Sequence, residues 1–349
     1  MKRFSILIAA LCLCLTGCGK QTTEATAQIF AMDTVMEVAA YGPKAEKAVQ
    51  ETEGQIKALE NQLSRTKADS LVSGLNRDGS IRHLTYDYWN LIARAKEYRD
   101  ATNGAFDITI APVMDAWGFT GDSFRVPERS ELDELLKHVN SDEIQIQEEP
   151  AHSVTLGEGQ AIDLGGIAKG YTSDWVEQTF RANGIESGKI SLGGNVFVLG
   201  GKPDGSDWRV GIKDPRNESG LAAILSLRDA YAITSGGYER YFEENGKTYH
   251  HIIDPSTGYP ADSGLLSVTV VAADNGPDWA GAGNGAMCDA FSTALFVMGE
   301  EQALDFWRNG GYDFDLVLVT EDGRVVITAG LADRFEEVKD SGYTYETVS

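Results

Sequence analysis

Positive charge is what this chain of 349 residues has least of: 30 Lys and Arg stand against 53 Asp and Glu, for a net charge of −23. A surface so short of cations repels phosphate backbones, which excludes general nucleic-acid binding. It also denies the protein any broad attraction to anionic lipid. A phosphate-bearing ligand would have to be met locally, by a metal ion or by aimed backbone amides. Cysteine is scarce as well. Of four, Cys12 and Cys14 lie in an N-terminal leader, Cys18 closes it, and Cys288 stands alone in the body. A lone thiol forms no internal disulfide, so stability must come from the core. With 42% hydrophobic residues, the chain can afford one large domain or two intimate ones. No internal repeat is visible, and the apolar run Phe4 to Leu15 falls short of the roughly 20 residues that span a bilayer.

What the chain does have begins with that run. Lys2 and Arg3 precede it, and Leu15-Thr16-Gly17-Cys18 ends it. A charged start, a short apolar stretch and small residues before a cleavage point describe a secretory signal peptide. Small residues directly before a cysteine resemble the bacterial lipobox, in which the cysteine is lipidated. The expectation is a signal peptide over residues 1–17, lipid on Cys18, a polar tether from Gly19 to Gln28 and a folded body over residues 29–340. The plainer alternative is an ordinary signal peptide with a chance cysteine. Either way the protein is expected outside the cytoplasm, in the first case lipid-anchored to the bacterial cell membrane.

Periodicity predicts a strand from Ile29 to Tyr41 and helices over Ala45–Leu63 and Tyr86–Thr102, the latter broken by Asn103-Gly104. Glu131–Val139 reads as a short surface helix and Ile144–Leu156 as a hairpin. Ala161–Leu164 reads as a strand end, Gly165-Gly166 as a tight turn, and Ala168–Asn183 as a helix. Strands are expected at Ile190–Leu199, Trp208–Ile212, Ala222–Leu227, Ala230–Thr234 and Ser267–Ala272. A helix is expected to start near Asp289, and Leu316–Val319 should pair with Val325–Thr328 across Asp322-Gly323. Helices and strands mix without strict alternation, which favours an α+β fold.

Four stretches carry chemical interest. Asp163-Leu-Gly-Gly-Ile-Ala-Lys-Gly170 couples a glycine turn to a helix start, where free amides and Lys169 suit phosphate. Its glycine spacing is that of neither a Rossmann fingerprint nor a P-loop, and a plain packing corner explains it equally well. Gly281-Ala-Gly-Asn-Gly285 fits no dinucleotide fingerprint either and reads as a turn. Asp289 and Thr293 stand four apart and share a helix face. They are either hard oxygen ligands for Mg²⁺, with phosphates completing the shell, or a dipole-favoured acid and a hydroxyl bonded back to its own helix. In the strand-like His250-His251, the two rings face opposite sides, so one could serve a site while the other packs. Zinc is excluded for want of a third ligand at suitable spacing, and a histidine near neutrality is the usual mover of a hydroxyl proton.

Read in order, these stretches resemble the ApbE-type FAD:protein FMN transferases, a bacterial flavin transferase lipoprotein family. The resembling pieces are Met32-Asp-Thr34, Thr102 to Thr109 leading to Trp117-Gly-Phe119, Asp163 to Gly170, Ser191 to Asn195, Trp208 to Ile212 with Asp214-Pro215, Thr234 to Tyr238, His250 to Pro260, and Asp289 to Gly299. The resemblance implies an ApbE-like, T-fold-related architecture of mixed sheets and packed helices, with a flavin site between subregions. It implies Mg²⁺ as cofactor and FAD as substrate. A Ser or Thr hydroxyl of an exported or membrane flavoprotein attacks the FMN phosphorus, AMP leaves, and FMN stays in a phosphoester. Implied acceptors include subunits of membrane electron-transfer complexes. By the same resemblance Met32, Ala105, Phe106, Asp107, Asp163, Lys169 and Ile253 contact FAD. Gly166 gives its carbonyl to the metal, Asp289 and Thr293 are side-chain ligands, and His251 is the candidate for base or for positioning the acceptor. Ser292 stands where some members carry another carboxylate. Around Leu63-Ser-Arg-Thr66 the chain lacks an aromatic residue common in the family, which raises hydrolysis of FAD to FMN and AMP as the alternative reaction. A non-catalytic flavin- or solute-binding lipoprotein is the third reading.

Overall fold

The computed structural model describes residues 23–121, 123–274 and 283–349. The leader and Cys18 lie outside them, as do Gly281 and Ala282. Two strands open the body, β1 (Glu24–Ala31) and β2 (Thr34–Tyr41), where the sequence predicts one. Met32 and Asp33 turn between them at φ of 49° and 59°, a conformation uncommon outside glycine. The expected tether is shortened, because Glu24–Gln28 are strand and pair with β2 from Glu24↔Tyr41 onward. Helix α1 (Ala45–Leu63) has its predicted bounds and buries Ala48, Val49, Ile56 and Leu59 along one face. After it come α2 (Leu71–Asp78), β3 (Ser80–Arg82), α3 (Tyr86–Ala101), α4 (Ala111–Trp117) and α5 (Arg129–Leu135). Strands β4 (Gln145–Gln147) and β5 (Ser153–Thr155) form the predicted hairpin.

Ala161–Leu164 is not the strand end expected; the Asp163 amide donates to the Ile108 carbonyl at 2.7 Å instead. Helix α6 (Ala168–Ala182) follows the glycine turn. The single strand expected over Ile190–Leu199 is divided into β6 (Ser187–Leu192) and β7 (Asn195–Leu199). Gly193 and Gly194, at φ of 61° and 96°, make the tight turn between them. Then come β8 (Trp208–Asp214), β9 (Asn217–Leu227), β10 (Ala230–Gly236), the hairpin β11 (Tyr241–Glu244) and β12 (Lys247–His250), and β13 (Leu265–Ala273). Helix α7 (Asn284–Met298) starts at Asn284 rather than near Asp289. The chain closes with α8 (Glu300–Asn309), β14 (Asp315–Thr320), β15 (Arg324–Thr328), β16 (Phe335–Glu337) and β17 (Thr344–Val348). The body therefore runs past residue 340, since β17 pairs in parallel with β15.

The main sheet has the order β1-β2-β6-β7-β10-β13-β14-β15-β17. Strand β14 shows why such segments are apolar throughout. Leu316 and Leu318 enter one core, while Val317 and Val319 enter a second core on the other face. Helices α1, α3, α6 and α7 fill the first, and the small sheet β16-β9-β8 covers the second. A third core gathers Val113, Trp117, Phe119, Leu132 and Ile253 under the rings of Phe242 and Tyr249. Mixed sheets with packed helices make this the α+β fold expected. Among the described residues no helix is long and apolar enough to cross a membrane.

Candidate active site

The starts of α6 and α7 cross at glycine. A Cβ on Gly170 would lie 2.1 Å from the Gly285 carbonyl oxygen, and one on Gly285 would lie 2.4 Å from that of Gly170. Only glycine allows so close an approach. Each helix then lends a carboxylate to the start of the other. Asp289 Oδ2 accepts the Gly170 amide at 2.8 Å. Asp174, on α6, accepts the amides of Gly283 at 3.0 Å, Gly285 at 2.8 Å and Ala286 at 3.0 Å. These amides are the ones a helix start leaves without partners. Burial pushes the Asp174 carboxyl up to about 7, while the three amides pull the other way. Asp289 is thus no first-turn acid of its own helix. It lies more than a turn inside α7 and acts on α6.

Thr293 follows one turn later. A Cβ built on Gly166 would stand 3.5 Å from Thr293 Oγ1 and 3.1 Å from Phe106 Cε2, so the glycine turn, the hydroxyl and the ring adjoin. The Thr293 hydroxyl meets Ser235 Oγ on β10 at 3.2 Å, and Ser235 meets Ser292 Oγ at 2.7 Å. Ser292 is fully buried and donates to the Asp289 carbonyl at 2.9 Å. Among the described residues no three His, Cys, Asp or Glu are grouped to hold a metal. One carboxylate, one hydroxyl and a nearby backbone turn nevertheless fit Mg²⁺, which binds through few protein oxygens and takes the rest from phosphates.

Around this pair stand the other expected residues. Met32, in its left-handed turn, donates its amide to Glu60 Oε1 at 2.9 Å and lies 3.8 Å through its sulfur from Thr172 Oγ1 on α6. Asp163 Oδ1 accepts the Gly165 amide at 2.7 Å, which shapes the turn before α6. Its Oδ2 pairs with Arg65 at 3.2 Å, and Arg65 also reaches Asp115 and Thr120, both at 2.7 Å. Lys169 is half-buried in the first turn of α6. Ala105 packs against the large core. Asp107 faces inward: its Oδ1 accepts the Thr109 amide at 2.9 Å and its Oδ2 the Ser141 amide at 3.1 Å. The Ile253 side chain belongs to the third core.

The histidines divide as their alternation predicts. His250 packs edge-on to Phe296 and bonds the Ala261 carbonyl at 3.0 Å through Nε2. His251 sets Nδ1 3.1 Å from the Arg240 carbonyl. A carbonyl only accepts, so Nδ1 carries the proton and Nε2 is an acceptor. Burial, reinforced by the Lys169 charge, lowers its pKa to about 4, and the ring is neutral at pH 7. Sequence reasoning missed Arg65, Asp174 and Ser235. Ser235 falls in the Thr234–Tyr238 stretch and Arg65 in Leu63–Thr66, both noted above for resemblance without these residues being singled out, and Asp174 lies inside a helix with nothing local to mark it.

Crossed helix starts, a glycine turn, an oxygen pair and a neutral histidine that feels the charge of Lys169 make up the candidate enzyme site. The chain belongs to the ApbE family, whose family model matches residues 32–316. It is 31% identical over 366 residues to the FAD:protein FMN transferase of Treponema pallidum (strain Nichols), with 99% of this chain and 98% of that protein covered. It is 34% identical over 294 residues to a protein of the same name from Klebsiella pneumoniae (strain 342), covering 82% and 86%. Among solved structures, the ApbE protein of Thermotoga maritima matches with a TM-score of 0.78 at 31% identity, covering 91% of this chain and 97% of that one. The apo flavinyl transferase ApbE of Pseudomonas stutzeri matches at 0.74 and 27%, covering 91% and 95%.

Proposed function

We propose that this chain is an Mg²⁺-dependent FAD:protein FMN transferase working outside the cytoplasm, held to the membrane by lipid on Cys18. A Ser or Thr hydroxyl of an exported flavoprotein attacks the FMN phosphorus of FAD. The phosphoanhydride bond to AMP breaks, AMP leaves, and FMN remains in a phosphoester. What supports this above all is the crossing of α6 and α7, which sets Asp289 and Thr293 beside the amide-rich glycine turn. In a protein this acidic, such a place is where a pyrophosphate can be accepted.

Asp289, Thr293 and the Gly166 carbonyl would hold Mg²⁺. Bound there, the ion offsets the pyrophosphate charge and the charge that grows on the AMP side. The start of α6 and Lys169 supply donors fixed before the substrate arrives. Met32 and Phe106 line the approach, and Asp163 holds the glycine turn in shape. His251 Nε2 takes the proton from the attacking hydroxyl. The acceptors are flavoproteins such as subunits of membrane electron-transfer complexes.

Hydrolysis of FAD to FMN and AMP has one observation in its favour. Residues 63–67 carry no aromatic side chain, and Thr66 is exposed. Water could then replace the acceptor. Incubating the protein with FAD, Mg²⁺ and a candidate acceptor separates the readings. Protein-bound FMN with free AMP is expected; AMP with only free FMN indicates the hydrolase. No Mg²⁺-dependent FAD turnover overturns both.

A further inference from the structure

We propose that Ser235 is a positioning residue that fixes the proton of the Thr293 hydroxyl on itself, keeping the Thr293 oxygen open to a divalent cation; this rests on the cation reading above. The direction follows from proton counting. A hydroxyl has one proton and two lone pairs. Ser292 spends its proton on the Asp289 carbonyl, at 2.9 Å, an acceptor with none to return. In the 2.7 Å contact between Ser292 and Ser235, Ser292 therefore accepts and Ser235 donates. Ser235 has then used its proton, so in the 3.2 Å contact Thr293 is the donor. The chain runs one way, from Thr293 to Ser235 to Ser292 to the backbone of Asp289.

Thr293 Oγ1 also adjoins the Gly166 turn, 3.5 Å from where a Gly166 Cβ would stand, and with its proton on Ser235 what it can present there is lone pairs. A hydroxyl proton on that side would oppose a cation directly. A threonine on a helix normally chooses between rotamers and can bond back to its own turn. Here Ser235, on β10, removes the choice. The chain ends on the Asp289 main-chain carbonyl, within the same helix that carries Thr293.

The test is Mn²⁺ binding to the full chain with FAD and no acceptor, read as loss of the free-ion EPR signal. Ser235→Ala should weaken Mn²⁺ binding about three- to tenfold, the scale of one hydrogen bond. Ser235→Thr, which keeps the hydroxyl, should restore it, and melting without cation should stay close to wild type. Ser235→Cys, which packs alike but donates weakly, should move in the direction of Ser235→Ala. Wild-type affinity in both Ser235→Ala and Ser235→Cys overturns the proposal, while loss of binding in Asp289→Ala leaves the cation site standing. An absence of Mn²⁺ binding in the wild type overturns the cation reading and this inference with it.

Discussion

Two walls carry the candidate residues, one of helices and one a hairpin, and different forces hold them. In the helix wall, α6 and α7 are locked by buried carboxylates on main-chain amides. In the hairpin wall, β11 and β12 leading to His251 are held by rings. Phe124 stacks on Phe242 at 5.2 Å between centroids, and Phe242 and Trp117 each lie 5.3 Å from Tyr249. Phe124 is 38% exposed and Tyr241 49%. Stacked rings tolerate displacement, because their attraction varies slowly with offset. A buried carboxylate that loses its donors does not. Asp289 and Thr293 thus sit on the wall that cannot shift. His251 follows the hairpin, whose packing can adjust.

That contrast can be broken at several points. The largest effect is expected from Asp289→Ala, which should cut AMP release from FAD by about 10³-fold or more; near-normal release would remove Asp289 from the site. Gly170→Ala drives a methyl into the Gly285 carbonyl and should cost about 3 kcal/mol in denaturant unfolding. His251→Ala should slow transfer to protein about 10²-fold while FAD affinity, read by flavin fluorescence, stays unchanged. A full transfer rate would show that another group takes the proton.

The same histidine sets a pH dependence. Its folded pKa is about 4 against 6.5 for the free side chain. The unfolded chain therefore takes a proton first as pH falls, and stability is lost between pH 6.5 and 4, by about 3 kcal/mol. His250, lowered by burial, acts in the same direction. His251→Asn should flatten that part of the stability curve, as measured by unfolding at each pH. The smallest effect is expected from Phe124→Ala, below about 1 kcal/mol. If it destabilised as much as Gly170→Ala, the two walls would not differ as described.

Local pattern and long-range contact explain what was legible. Helix α1 could be bounded to the residue because its apolar spacing is sustained over five turns. Helix α2 could not, since Gly74 and Asn76 interrupt eight residues; its start is set by Ser70, whose hydroxyl accepts the Ser73 amide at 2.9 Å. The β11–β12 hairpin had a signal that went unread, Asn245-Gly246, with φ of 53° and 76°. Its strands are polar and show little alternation. In the site, the Asp289–Thr293 spacing was visible because it lies within one helix. Arg65, Asp174 and Ser235 were not, because their partners stand 98, more than 100 and 57 residues away. Asp107 shows a different limit: nothing in its sequence context foretells that its carboxylate caps the short turn of Ile108–Ile110 and holds Ser141, 34 residues on.

The mutual capping of α6 and α7 has a consequence for the life of the newborn chain. Its bonds join residues separated by 109 to 119 positions, and such distant pairings form late and slowly. An extended polypeptide owns none of them. The crossing therefore comes into existence only when the last third of the sequence folds back onto the middle, and no fragment that lacks either part can assemble it.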